Sequence, residues 1–306
     1  MKKIPLLLSI TAAFFLNTNT VRCQDTDSTG LPGDHFSLQG ALEMFKKAGS
    51  PEEFEKLINT ESNNVNNLDL NGDGEIDYVR VVDKSEKDAH AFVLQVAVSA
   101  TENQDIAVIE LEKTGNENAV LQIVGDEELY GQQTIVEPSD GTSGEEVSPA
   151  KHGPNVNYSD PNIIVNVWMW PSVRFVYRPA YVIWVSPWRW RMYPVWWHPW
   201  RPAPWYVFHP RAFMYHPFCR MVYTQRVLVA HRLYTPYRST SIFVHTRYMD
   251  PSNNYRVTRT TERVNVSGPR GNDFRRNRIT TNVRDRDRDR DEKYKEKRER
   301  GRGRRG

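Results

Sequence analysis

The chain has 306 residues, 41 of them Lys or Arg and 38 Asp or Glu, and its net charge of +3 hides three blocks of different sign. Residues 24–160 carry 28 acids and 8 bases, residues 161–249 carry 11 bases and no acid, and residues 250–306 carry 19 bases and 10 acids. With only Cys23 and Cys219 a disulfide framework is excluded, and no apolar run approaches the ~20 residues of a membrane-spanning helix. Such asymmetry marks either separate modules with separate partners or blocks that neutralise one another.

Residues 1–23 read as an export signal: Lys2 and Lys3, an uncharged apolar stretch from Ile4 to Leu16, and a polar end at Val21-Arg22-Cys23. The expected location is periplasmic, outer-membrane-associated or extracellular. A lipid anchor on Cys23 is the alternative, against which Arg22 stands where that processing takes a small residue.

After a polar lead, Leu38, Ala41, Leu42, Phe45 and Ala48 recur at helical spacing, and Gly49 ends the helix. Ser50, Pro51 and Glu53 set up a second start, with a serine cap, proline in the first turn and a capping-box glutamate; Phe54, Leu57 and Ile58 face inward. From Ile76 the period changes to two. Runs over Ile76–Asp83, His90–Ser99, Asp105–Lys113 and Ala119–Val124, with a short strand at Thr134–Val136, predict an antiparallel meander. Residues 34–138 are therefore expected to form an α+β domain, two helices on a sheet.

Residues 139–160, rich in Pro, Ser, Gly and acids, read as a linker. Residues 161–249 hold all nine tryptophans, between Trp168 and Trp205, together with prolines that exclude long helices. The segment predicts a β-prone Trp/Arg/Pro module with strands over Ile163–Trp170, Val173–Tyr177, Tyr181–Val185, Arg220–Leu233 and Ser241–Arg247. Residues 250–306 end in Arg-Asp alternation and predict a disordered polyampholyte tail. Within it, 254–266 alternates weakly enough to pair with a partner.

One motif carries specific chemistry: Asp69-Leu70-Asn71-Gly72-Asp73-Gly74-Glu75-Ile76-Asp77. Alternate positions of a tight loop aim Asp69, Asn71 and Asp73 at one point, Glu75 offers its carbonyl and Asp77 a carboxylate, which suits a hard cation such as Ca2+. The loop resembles the calcium loops of dockerin, thrombospondin-type and FG-GAP/VCBS repeats. It is EF-hand-like but has Arg80 where an EF-hand has its bidentate glutamate. The resemblance implies a structural Ca2+; a metal-free Asn-Gly/Asp-Gly turn is the alternative.

Leu68 to Val82, the strings Gln104-Asp105-Ile106-Ala107-Val108-Ile109 and Gln122-Ile123-Val124-Gly125-Asp126-Glu127, and Val185-Ser186-Pro187-Trp188-Arg189-Trp190 resemble a group of uncharacterised exported proteins of Gram-negative bacteria. That resemblance implies export and these domain boundaries, and no activity.

In the aromatic segment, Trp188-Arg189-Trp190-Arg191 would place two indoles on one face of an extended chain and two guanidiniums on the other. Trp196, Trp197 and Trp200 extend the surface, unless the tryptophans form a core. Tryptophan suits lipid headgroup depth and arginine meets phosphate, so the expected partner is a cell-envelope component: anionic lipid, lipopolysaccharide, a glycan or an envelope protein. Carbohydrate or peptidoglycan binding and a self-associating scaffold are the alternatives. Export argues against nucleic acid despite the Arg-Gly ending. His198, His209, His216, His231 and His245 lack metal-pair spacing, and Cys219 beside His216 lacks an orienting group, so no enzyme is expected.

Overall fold

The computed structural model describes residues 28–139 and 164–266, with side chains as far as 258. The export signal, most of the acidic linker and the tail beyond Val266 lie outside the described residues.

Both expected N-terminal helices form where their caps lie. In α1 (Leu38–Lys47) the Ser37 hydroxyl accepts the Gly40 N–H at 3.0 Å. In α2 (Pro51–Ile58) Ser50 accepts the Glu53 N–H at 3.1 Å while Glu53 reaches back to the Gly49 N–H at 2.7 Å. These bonds satisfy amides that the first helical turn leaves open.

The sheet is a meander of β1 (Val79–Glu86), β2 (Ala89–Ala97), β3 (Asn103–Gly115), β4 (Asn118–Gly125), β5 (Thr134–Pro138) and β6 (Cys219–Val222), every neighbour antiparallel. Alternation sends Val79, Val81, Phe92, Leu94, Ile109 and Ile123 to one face, where α1 and α2 cover them. There Phe45 meets Phe54 edge-on at 5.2 Å and Phe92 at 5.1 Å. The chain is α+β, as its periodicities predict. A short α3 (Glu127–Tyr130), capped by Asp126, links β4 to β5.

The segment after the linker departs from expectation. Its described residues belong with the first domain: the described residues up to Ser252 form one compact unit. Val167, Trp170, Val173, Val176, Tyr215 and Val244 enter the same hydrophobic core as α1 and the sheet. Segment 164–222 also closes both edges of the meander. At the outer edge of β1, Asp83 N–H donates to Trp184 O at 2.8 Å and Ser186 N–H to Val81 O at 3.0 Å; at the other edge β6 pairs with β5. These pairings occupy part of the N–H and C=O groups that the outer sides of β1 and β5 would otherwise expose.

Several expected strands are helices. Val173–Tyr177 lies in α4 (Pro171–Val176), where Pro171 supplies a preset φ in the first turn and Val173 and Val176 point into the core. Ile163–Trp170 is no named strand from Ile164 on; it touches the sheet only locally, as where Val167 N–H donates to Ala119 O at 3.0 Å. Tyr181–Val185 contributes a single bridge, Val82 to Val185. After α5 (Trp205–Ala212), Arg220–Leu233 begins as β6 and then turns into α6 (Leu228–Tyr234). Ser241–Arg247 opens α7 (Ile242–Val266). Branched and aromatic residues read as strand here because the hydrophobic pattern is set by packing on an existing sheet, which overrides intrinsic propensity. The expected tail likewise starts as helix, through Val266. Asn253 begins a second unit, whose described part is that last stretch of α7.

The second face of the sheet carries Ala91, Val93, Val108, Val124 and Ile135, covered by Tyr234 of α6. The Tyr234 hydroxyl donates to Asp105 at 3.0 Å, so its polar end is satisfied as its ring is buried.

Candidate functional site

Asp69 organises the 69–77 loop. Its Oδ1 accepts the N–H of Gly72 at 2.7 Å and of Asp73 at 3.1 Å, and its Oδ2 that of Gly74 at 3.0 Å. Gly72 and Gly74 hold φ of +75° and +83°, a region costly for any residue with a Cβ. Buried Leu70 and Ile76 pin the loop to the core, and the Ile76 N–H donates to Trp200 O at 2.8 Å. The tryptophan segment thus buttresses the loop.

The loop brings Asn71, Asp73 and Asp77 together. Asn71 Nδ2 donates to Asp73 Oδ2 at 3.0 Å and to Asp77 Oδ1 at 3.1 Å, while Asp77 Oδ2 accepts the Leu70 N–H at 2.6 Å. Glu75 is exposed and joins the loop through its N–H, which donates to Asp73 Oδ1 at 2.9 Å. Burial raises the Asp77 carboxyl to about 7; the charges of Asp69 and Asp73 add to the rise, and the bond from Leu70 opposes it.

These side chains fit a hard cation in kind, since every donor would be an oxygen if the Asn71 amide turned over. In the arrangement described, the Asn71 NH2 group stands between the carboxylates. Among the described residues no three His, Cys, Asp or Glu side chains form a metal-holding group. A cationic side chain lies against the loop. A Cβ on Gly72 would lie 2.0 Å from Nη1 and 2.4 Å from Cζ of Arg247, so this guanidinium from α7 rests directly on the turn. Arg247 gave no sequence signal, because nothing local ties it to the loop.

The tryptophans divide between core and surface. Trp197 is 3% exposed and meets Tyr78 at 5.0 Å and Tyr193 at 4.6 Å, whereas Trp196 beside it is 44% exposed with the Lys56 ammonium 5.5 Å from its ring. Trp170 is buried; Trp188, Trp190 and Trp200 are half-buried. The expected extended face over Trp188-Arg189-Trp190-Arg191 is instead a tight turn in which Arg189 and Met192 exchange N–H···O bonds of 3.2 and 2.9 Å. Arg191 takes the left-handed conformation (φ +57°) that favours glycine, and its guanidinium lies 5.4 Å from the Trp190 ring.

Exposure is distributed unevenly. Among the described residues, every large hydrophobic side chain counted as exposed lies in 164–257, including Val182, Met192, Val195, Trp196, Met214 and Phe218. Arg189, Arg191, Arg201 and Arg211 are exposed among them. Other arginines of the same block are consumed internally: Arg220 pairs with Glu137 at 2.9 Å and Arg238 with Asp126 at 2.6 Å.

No family model, curated protein or solved structure matches this chain. No helix among the described residues is long and apolar enough to cross a membrane. Burial pushes the Cys219 thiol up well beyond its usual range, and burial, helped by His209, lowers His216 to about 4. Both shifts favour the neutral, unreactive forms.

Proposed function

We propose that this is a non-catalytic exported protein that attaches to an anionic envelope surface through its Arg/Trp segment. The observation that carries the reading is the confinement, among the described residues, of exposed large hydrophobics to 164–257, interleaved with the exposed Arg189, Arg191, Arg201 and Arg211. Isolated exposed apolar side chains are ordinary; this many in one stretch of the chain, when the described residues before it bury theirs, suit an interface. Met192, Val195 and Trp196 would enter the acyl boundary while Arg189 and Arg191 meet phosphate, as in lipid or lipopolysaccharide headgroups. Edge closure by residues 184–186 and 219–222 would make the segment a fixed platform rather than a flexible arm.

The 69–77 loop would stabilise that platform by holding a structural Ca2+ through Asp69, Asn71, Asp73 and Asp77, with Glu75 contributing its carbonyl. The raised Asp77 carboxyl supports this, because a cation would relieve the repulsion that burial intensifies. Co-sedimentation with vesicles tests attachment. The protein should pellet with vesicles rich in phosphatidylglycerol and stay soluble with phosphatidylcholine alone, and Arg189→Gln with Arg191→Gln should weaken pelleting most at low salt. Equal recovery on both lipids would overturn the proposal.

A further inference from the structure

A groove of about 300 Å³ lies on the second face of the sheet, over β1 and β2 and beside the turn Thr235–Tyr237 that follows α6. Alternate residues of β1 form one wall: Arg80, Val82 and Lys84 share a face and stand opposite Gln95, Val93 and Ala91 of β2. Val82 and Val93, with Val185 from the edge segment, make an apolar floor, and Tyr237 and Ser239 overhang it. The volume is at the small end for ligand sites and admits roughly one sugar-sized ring.

Two cations flank that floor without a direct counter-charge. Arg80 is oriented by Gln95, whose Oε1 accepts both its Nε–H, at 2.9 Å, and an Nη2–H. Gln95 is itself fixed in that orientation because its Nε2 donates to Asp105 at 2.6 Å. The acid therefore sits one residue beyond the guanidinium; burial lowers the Arg80 pKa while the charges of Asp105 and Glu55 oppose the fall, and Nη1 also donates to Trp188 O at 3.4 Å. Lys84 lies 4.1 Å from the Tyr237 ring centroid, and no ion pair joins either cation to a carboxylate among the described residues. Asn103 and Ser239 add neutral hydrogen-bonding groups at the Arg80 end.

We infer that this groove is a binding site for an acidic monosaccharide unit: the apolar ring face on the three valines, hydroxyls toward Asn103 and Ser239, and a carboxylate or phosphate held by Arg80 and Lys84. Apolar floor, polar rim and a preoriented guanidinium are what a charged ring requires and a bare inorganic anion does not. The inference is independent of vesicle attachment, since the groove shares none of Arg189, Arg191, Met192, Val195 or Trp196.

Calorimetry on the full chain with glucuronate, glucose 6-phosphate, glucose and inorganic phosphate tests it. Both charged sugars should bind, each at least about fivefold tighter than glucose or phosphate, the scale of one exposed charge contact. Lys84→Gln should weaken them by a similar factor. Val185→Trp, at a 59% exposed position, should fill the groove and abolish binding while the melting temperature holds. Phosphate binding as tightly as the charged sugars, glucose binding as tightly as either, or charged-sugar binding that survives Val185→Trp would each overturn the assignment. Glucuronate without glucose 6-phosphate, or the reverse, would identify the anion and uphold it.

Discussion

Glu55 in α2 accepts the indole N–H of Trp184 at 3.3 Å, across 129 residues of chain. The same buried carboxylate takes the Tyr78 hydroxyl at 2.8 Å, the Ser186 hydroxyl at 2.9 Å and the Val81 N–H at 2.8 Å. One side chain thus fastens α2, β1 and the edge segment together. Burial raises its pKa and its four donors oppose the rise.

Glu55→Gln is expected to destabilise the fold by about 2–4 kcal/mol, because an amide can accept at only one end and turns N–H toward two donors at the other. Trp184→Phe, which frees one acceptor position and keeps most of the packing, should cost about 1 kcal/mol. Denaturant unfolding gives both values. Hydrogen exchange should also quicken at the Asp83 and Ser186 amides in Glu55→Gln; unchanged protection there would mean the edge segment holds without the carboxylate.

Asp77 sets a pH dependence near neutrality. Its folded pKa, about 7, lies above the ordinary 3.8 of an aspartate, so the folded chain takes up a proton where the unfolded chain does not. Stability from this group is complete below about pH 4 and is lost as pH rises through 7. Glu55, also raised, acts in the same sense, while His216, lowered to about 4, acts oppositely but only below its ordinary 6.5. Between pH 6.5 and 8 the melting temperature should therefore fall as pH rises, and Asp77→Asn should flatten the fall.

Calcium should reverse it. Millimolar Ca2+, the ~10⁻⁴–10⁻³ M range of extracellular sites, is expected to raise the melting temperature at pH 8 more than at pH 6, with EDTA restoring the original value. Asp73→Ala should remove the gain. If calorimetry detects no heat and neither pH responds, the 69–77 segment is a turn and the calcium proposal fails.

Arg247 competes for the same charge. Removing a guanidinium that rests on Gly72 should leave the loop more electronegative, so Arg247→Ala is expected to tighten Ca2+ binding about two- to fivefold, the range of an exposed ion pair. Gly72→Ala should instead destabilise by about 1–3 kcal/mol, through both its φ of +75° and the collision with Arg247. A titration of each variant separates the two effects.

Adjacent tryptophans should behave oppositely. Trp197→Ala removes a buried indole and should cost about 3–5 kcal/mol. Trp196→Ala should change stability by less than about 0.5 kcal/mol yet reduce recovery on anionic vesicles. Loss of vesicle binding in neither variant, with folding intact in Trp196→Ala, would remove this face from the proposed attachment.

The sequence by itself determined what depends on near neighbours. Ser37, Ser50 and Glu53 lie within a turn of the amides they cap, period-two runs mark the first five strands, and Asp69 bonds amides three to five positions on, so each signal is local. Tertiary structure alone decided the fate of residues 164–252. Their Trp, Val and Tyr residues lean towards strand by propensity, and that preference was overridden by packing on a sheet that offers two edges and an uncovered face. That is why Trp197 is core and Trp196 surface, why Val173 is helical, and why Arg238 is bound to Asp126 while Arg189 is exposed. Composition fixes how many aromatic and cationic groups the segment has; only contacts made across more than a hundred residues fix which of them face outward.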